Sequence, residues 1–167
     1  MIRKAEMLDL CAAKRVYKIA REEMKRTGNE SQWGDSYPSE DIMKDDIKRE
    51  QLYLGEDDGA IYFIFMLTDE KEEEYARIYD GSWLNDEPYI TLHRVASDGR
   101  IKGVFNRIFD FALKKMDELG IFNIRIDTHE DNLTMQAILK KHGFKKCGLV
   151  NFKYGGERIA YQYRREN

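Results

Sequence analysis

The sequence has few cysteines, no long apolar run and no excess of positive charge, and each absence excludes a class of protein. Cys11 and Cys147 are its only cysteines and fit no metal-binding or redox spacing, so we expect reduced thiols in a cytoplasmic protein. No apolar segment approaches the roughly 20 residues that cross a membrane, and the N-terminus lacks the apolar core of a signal peptide. The net charge of -3 argues against a nucleic-acid-binding protein that relies on overall positive charge.

The composition and the apolar pattern predict a single domain over residues 1–167. Of the residues, 42% are hydrophobic and 35% are charged, as in globular proteins, and we find no internal repeat or low-complexity linker. Helical spacing predicts a first helix over 7–25, and Ser39 is placed to cap a second helix over 40–49. The polar segment between them predicts a loop, and the acidic run over 69–74 is typical of a solvated turn.

The rest of the chain alternates strands and helices. A short strand begins the chain, and further strand patterns cover 51–57, 59–67, 87–96, 121–128, 144–150 and 157–163. Helices follow Gly103, ending at Gly120, and Asn132, ending at Gly143. This order predicts an α+β (mixed α/β) fold with a mixed, mostly antiparallel sheet of about seven strands and helices on both faces.

Strict alternation along the strand over 87–96 predicts which side chains share a face. One face carries the odd-numbered positions Tyr89, Thr91, His93 and Val95. The other face carries the even-numbered positions Ile90, Leu92, Arg94 and Ala96.

The segment that follows this strand, "SDGRIKG", combines two glycines with two cations before a helix begins. A loop of this kind aims unpaired N–H groups at one point, and the helix dipole adds partial positive charge there. Gly103 would let a phosphate approach the backbone, and Arg100 and Lys102 would add charge. The residue pattern of this segment is consistent with an anion-binding site and equally with an ordinary turn. The pattern is neither a P-loop nor a dinucleotide fingerprint.

A second polar segment follows the strand over 121–128 and leads into the helix that begins at Asn132 and ends at Gly143-Phe144. Its acids and His129 do not fit a usual zinc spacing, and such residues commonly cap helices, so we expect no metal.

Together these two segments resemble the GNAT superfamily of N-acetyltransferases, in particular a bacterial subgroup of unknown substrate. The family's first motif, Gln/Arg-x-x-Gly-x-Gly/Ala, corresponds to Arg100-Ile-Lys-Gly103-Val-Phe105, with Phe105 in place of Gly or Ala. Its second motif, an Asn followed one helix later by Gly-Phe, corresponds to Asn132 and Gly143-Phe144. The order of strands and helices matches over nearly the whole chain.

The resemblance implies a groove for acetyl-CoA between two splayed strands, with no metal. Main-chain N–H groups would bind the pyrophosphate, namely those of Arg100, Ile101, Lys102, Gly103 and Val104. Main-chain groups of Val95 and Ala96 would pair with the pantetheine arm, and Asn132 would contact the coenzyme.

The resemblance leaves the acid and the base open. Many relatives carry a tyrosine seven residues after the Asn to protonate the leaving thiolate, and this chain has Leu139 there. Another group, such as Tyr161 or Tyr163 on the last strand, or solvent would then protonate the thiolate. His93 is the candidate base or proton relay, and Tyr89 would anchor a water. The aromatic side chains of Trp33 and Tyr37 are candidates for the acceptor site, although Trp33 would equally cover the core.

The sequence therefore predicts an N-acetyltransferase that moves an acetyl group from acetyl-CoA to a primary amine of a small molecule or protein, by direct attack in a ternary complex. The alternative is a non-catalytic acyl-CoA-binding sensor or interaction module on the same fold, which the absence of the tyrosine at Leu139 favours slightly. We expect a monomer or homodimer without nucleic-acid or membrane partners.

Overall fold

A computed structural model describes residues 1–153 and 155–166. The seven strands are β1 (Ile2–Lys4), β2 (Leu52–Asp57), β3 (Ala60–Thr68), β4 (Tyr89–Ser97), β5 (Asn123–Thr128), β6 (Lys145–Phe152) and β7 (Gly156–Arg164). The helices are α1 (Leu10–Arg26), α2 (Glu30–Trp33), α3 (Glu40–Lys48), α4 (Val104–Leu119) and α5 (Leu133–Lys141). Two 3-10 turns cover Met7–Asp9 and Glu73–Arg77. None of the described helices is long and apolar enough to cross a membrane.

The strands form one mixed sheet in the order β1-β2-β3-β4-β5-β7-β6, in which β4 and β5 are parallel and the other pairs antiparallel. The predicted fold class is confirmed. Helices α4 and α5 pack their apolar residues on one face, against side chains such as Phe65, Leu92 and Ile126. Helices α1 and α3 cover the other face over β2, β3 and the end of β4.

Several helix ends follow the predicted signals. The Ser39 hydroxyl accepts a hydrogen bond from the N–H of Ile42, and the Asn132 side chain accepts one from the N–H of Met135. Gly120 ends α4 in the left-handed conformation, with φ of 65°. The segment predicted as one loop after α1 differs, because it contains the four-residue helix α2.

The predicted alternation along β4 is wrong beyond His93, because the strand bulges there. His93 lies opposite Met66 and Ala96 opposite Ile64, so three steps along β4 match two along β3. Arg94 takes the left-handed conformation, with φ of 52°. Ala96 consequently packs on the α1 face and Val95 on the α4 face, with Ile90 and Leu92.

The parallel strands β4 and β5 separate soon after they meet. Their register covers only Tyr89–Thr91 against Asn123–Arg125, although β4 continues to Ser97 and β5 to Thr128. The end of β4 therefore has no β5 partner on that side, and a cleft opens in the middle of the sheet.

Candidate active site

A cavity of about 620 Å³ occupies the cleft between β4 and β5. Its walls come from the ends of both strands, from the first turns of α4 and α5, and from the segment around α2. Of the predicted site residues, seven line it: Trp33, Tyr37, His93, Val95, Ala96, Val104 and Asn132. The predicted pyrophosphate residues 100–103 are not in the lining, and the cavity reaches that end of the predicted site at Val104.

The loop before α4 presents unpaired main-chain donors, as the sequence predicts. Within the described residues no hydrogen bond uses the N–H of Ile101, Lys102, Gly103 or Val104 as its donor. Gly103 has φ of 70°, which a glycine adopts without strain. The start of α4 therefore offers N–H groups and a helix dipole to an anion.

Arg100 differs from the prediction. Its main-chain N–H donates to Asp98 Oδ1 at 3.2 Å, and its side-chain Nε donates to Asp98 Oδ2 at 2.8 Å. Its guanidinium also lies 4.4 Å from the centre of the Tyr62 ring. Neither its N–H nor its charge is free for a phosphate in this arrangement, so Arg100 shapes the loop.

His93 lies between two carboxylates. Its Nε2 is 2.9 Å from Glu72 Oε2, and its Nδ1 is 3.7 Å from Asp127 Oδ2. The hydrogen bond from His93 lowers the pKa of Glu72 to about 2, against the opposing effect of burial. Because Glu72 is then a carboxylate at neutral pH, Nε2 of a neutral His93 carries the hydrogen and Nδ1 the lone pair.

Tyr75 fixes the second carboxylate. Its hydroxyl donates to Asp127 Oδ2 at 2.7 Å, and its side chain is 1% exposed. Burial and the Asp127 carboxylate raise the pKa of Tyr75 well above its usual value, so the hydroxyl keeps its proton and remains a donor.

Sequence reasoning missed Glu72 and Tyr75. The acidic run over 69–74 indicated a solvated turn, and the structure instead directs Glu72 into the cavity. Nothing in a run of like charges distinguishes Glu72, which faces the cavity, from its solvent-exposed neighbours. The turn is held in place by Tyr75, which is buried and donates a hydrogen bond to Asp127. These two residues are far apart in the chain, so no local pattern predicts the contact.

Two predicted catalytic tyrosines lie outside the cavity lining. Tyr161 is 7% exposed and packs in the cluster under α4 and α5. Burial raises its pKa. The Tyr89 hydroxyl accepts a hydrogen bond from the N–H of Glu72 at 3.3 Å, so Tyr89 supports the residue that binds His93. Leu139 is fully buried in the same cluster as Tyr161.

The predicted aromatic residues of the acceptor end are both partly buried. The Trp33 ring lies 6.1 Å from that of Tyr37 and 5.8 Å from that of Tyr17, so it covers the core and lines the cavity at once. The Tyr37 hydroxyl accepts a hydrogen bond from Arg94, whose guanidinium also makes two bonds of 2.7 and 2.9 Å to Asp46.

The segment around α2 is joined to the start of α5 across the cavity. Gln32 Oε1 accepts hydrogen bonds from the side-chain amides of Asn29 and Asn132, at 2.8 and 2.9 Å. Two buried polar atoms in the lining have no partner within the described residues, Asn29 Oδ1 and Thr128 Oγ1. No group of three or more potential metal ligands occurs in residues 1–153 and 155–166.

Comparison with solved structures gives close matches over the whole chain. A GNAT-family acetyltransferase from Streptococcus agalactiae is 34% identical, with a TM-score of 0.86 and coverage of 100% of this chain and 96% of its own. A Staphylococcus aureus protein provisionally described as an acetyltransferase is 25% identical, with a TM-score of 0.74 and coverage of 98% of both chains. No family model matches the sequence, and a search of curated proteins found no relative.

A Salmonella typhimurium protein solved with acetyl-CoA shares the fold. It is 14% identical, with a TM-score of 0.67 and coverage of 100% of this chain and 94% of its own. At this identity the likeness concerns the fold alone.

Proposed function

Because this chain belongs to the GNAT family of acetyltransferases, we propose that it transfers the acetyl group of acetyl-CoA to a primary amine by direct attack in a ternary complex. One observation carries the proposal: a single cavity extends from Val104, the first residue of α4 and one of the four with unpaired N–H groups, to the Glu72–His93–Asp127 group. An anion-binding end and a proton-accepting end are what this transfer requires.

At the first end, the N–H groups of residues 101–104 bind the pyrophosphate, supported by the dipole of α4. Val95 and Ala96 present the free edge of β4 to the pantetheine arm, and Asn132 contacts the coenzyme from α5. When bound, acetyl-CoA supplies the thioester that the amine attacks.

At the second end, His93 is the general base. Its Nδ1 takes a proton from the amine, directly or across one water, as the nitrogen attacks the carbonyl carbon. Glu72 holds the imidazole through Nε2, and both Glu72 and Asp127 stabilise the charge that develops on it. Solvent supplies the proton of the leaving thiolate, because Tyr161 lies outside the cavity lining. Trp33 and Tyr37 form the wall against which the acceptor binds.

Two measurements test the proposal. Acetyl-CoA at concentrations far above micromolar should raise the melting temperature, because a ligand that binds only the folded state stabilises it. A panel of small amines and peptides, assayed for release of free thiol, should then reveal turnover. Binding without turnover on a validated panel would favour a non-catalytic sensor, and no stabilisation by acetyl-CoA would contradict both.

A further inference from the structure

Arg158 on β7 is a buried cation in the cavity wall whose hydrogen bonds, within the described residues, go to main-chain oxygens and not to a carboxylate. It is 7% exposed, and its two terminal nitrogens donate to the main-chain oxygens of Glu157 and Gln32, at 2.8 and 3.1 Å. Within the described residues it forms no ion pair with a carboxylate. A buried charge is normally paired, because removing it from water is unfavourable.

Two other arginines of the same face show how this chain normally compensates such a charge. Arg94 forms two bonds to the Asp46 carboxylate. Arg125 lies between two aromatic rings, 4.0 Å from the centre of Tyr89 and 4.2 Å from that of Trp83. Arg158 has neither arrangement, although it is as buried as Arg125. The Asp127 carboxylate interacts with Arg158 only at longer range, so the guanidinium can still bind a carboxylate that enters the cavity.

The strand register places Arg158 near the proton-accepting end of the cavity. Asp127 lies opposite Ala160, so the side chain of Arg158, two residues along β7, shares the face of Asp127 about 7 Å further on. This is the face on which His93 contacts Asp127. The helix α4, whose start offers the other anion site, packs on the opposite face. Arg158 is thus not part of the pyrophosphate site.

Along this face the negative charges lie at one end, around His93, and the positive charge of Arg158 lies at the other. Glu72 and Asp127 flank His93, where a carboxylate of a ligand would be repelled and an amine attracted. Arg158 lies beyond Asp127 and lines the same cavity. A molecule with an amine at one end and a carboxylate at the other matches this order in one orientation.

We propose that the acceptor is a small molecule that carries a carboxylate as well as its amine, an amino acid or a close analogue, and that Arg158 binds the carboxylate while the amine faces His93. This inference rests on the proposed acetyl transfer. Arg158 is a specificity-determining residue in it, because an arginine binds a carboxylate through two parallel hydrogen bonds.

The test uses matched acceptor pairs, such as lysine with cadaverine and phenylalanine with phenethylamine, assayed by thiol release. In the unmodified protein at least one amino acid should exceed its carboxylate-free partner by about tenfold or more in kcat/KM. Arg158→Gln should remove that preference through KM, and Arg158→Lys should keep part of it. Gln32→Ala, which loosens the same loop without a change of charge, should affect both members of a pair equally.

A preference for the carboxylate-free amines, or an unchanged preference in Arg158→Gln, would overturn the inference while acetyl transfer stands. So would a peptide amine preferred over every free amino acid. Calorimetry with the protein saturated with coenzyme A decides the case without turnover. Amino-acid binding that Arg158→Gln abolishes supports the inference even where no acceptor is acetylated, and equal binding by both proteins contradicts it.

Discussion

Nε2 of His93 lies 2.9 Å from Oε2 of Glu72, and these residues come from different parts of the chain. The contact links the turn before the Glu73–Arg77 segment to the middle of the sheet. It sets which nitrogen of the imidazole carries its hydrogen, and so which nitrogen is left as a base.

Removing the base should slow the reaction with little effect on coenzyme binding. His93→Gln should lower kcat by about 10²- to 10⁴-fold, the usual contribution of general base catalysis. Glu72→Gln should lower it less, because the imidazole stays but loses its charged partner. Steady-state kinetics with the best amine of the panel measures both.

His142→Gln is the matched control for His93→Gln. The His142 ring bonds to Asn106 and to the Ile138 carbonyl and does not itself line the cavity, so kcat should stay unchanged. A His93→Gln enzyme with full kcat would show that another group takes the proton.

The Glu72–His93 pair should make the free energy of unfolding depend on pH in the acidic range. The folded-state pKa of Glu72 is about 2, below its ordinary value of 4.5, so the contribution is present above pH 4.5 and is lost as the pH falls towards 2. By linkage it is on the order of 3 kcal/mol at neutral pH. Urea denaturation at pH 7, 5, 4 and 3 should show the advantage of the unmodified protein over Glu72→Gln shrinking with acid. A constant difference would contradict the assignment.

Gly103→Glu should abolish coenzyme binding by introducing bulk and negative charge where the pyrophosphate binds. Calorimetry with acetyl-CoA should show a Kd raised by about 100-fold or more, since several hydrogen bonds to an anion are lost. The left-handed conformation at Gly103 adds a loss of stability of about 1 kcal/mol.

Gly120→Glu separates these two effects. Gly120 has nearly the same conformation, with φ of 65° against 70°, but lies at the end of α4 remote from the unpaired N–H groups. It should lose at least as much stability and bind acetyl-CoA normally. Normal binding by a folded Gly103→Glu would remove the proposed pyrophosphate site.

Asp46→Asn should destabilise the protein strongly, because it leaves the Arg94 guanidinium buried without its carboxylate. Asp46 is 4% exposed and holds Arg94 through two hydrogen bonds. We expect the free energy of unfolding to fall by about 3–5 kcal/mol. Asp45→Asn, one residue away on α3, removes an exposed pair with Arg49 and should change it by less than about 1 kcal/mol. Equal effects in urea denaturation would contradict the role of Asp46.

Local patterns predicted most of the architecture. The caps at Ser39 and Asn132 and the glycine at 120 act through hydrogen bonds and conformations of neighbouring residues, so the sequence identifies them. The bulge in β4 had no such signal, because Arg94 is not a residue type that usually takes a positive φ. One extra residue then reversed the predicted faces of Val95 and Ala96.

The sequence by itself determined the order of strands and helices except for the four-residue α2, the glycine-rich start of α4 and the candidacy of His93, since these depend on periodicity and on residue type. Only the tertiary structure decided that Glu72 and Asp127 flank His93, that Tyr161 lies in the core, and that Arg158 is buried without a carboxylate. The physical reason is that charge and proton affinity at a site depend on distances between residues far apart in the chain, which no local pattern encodes.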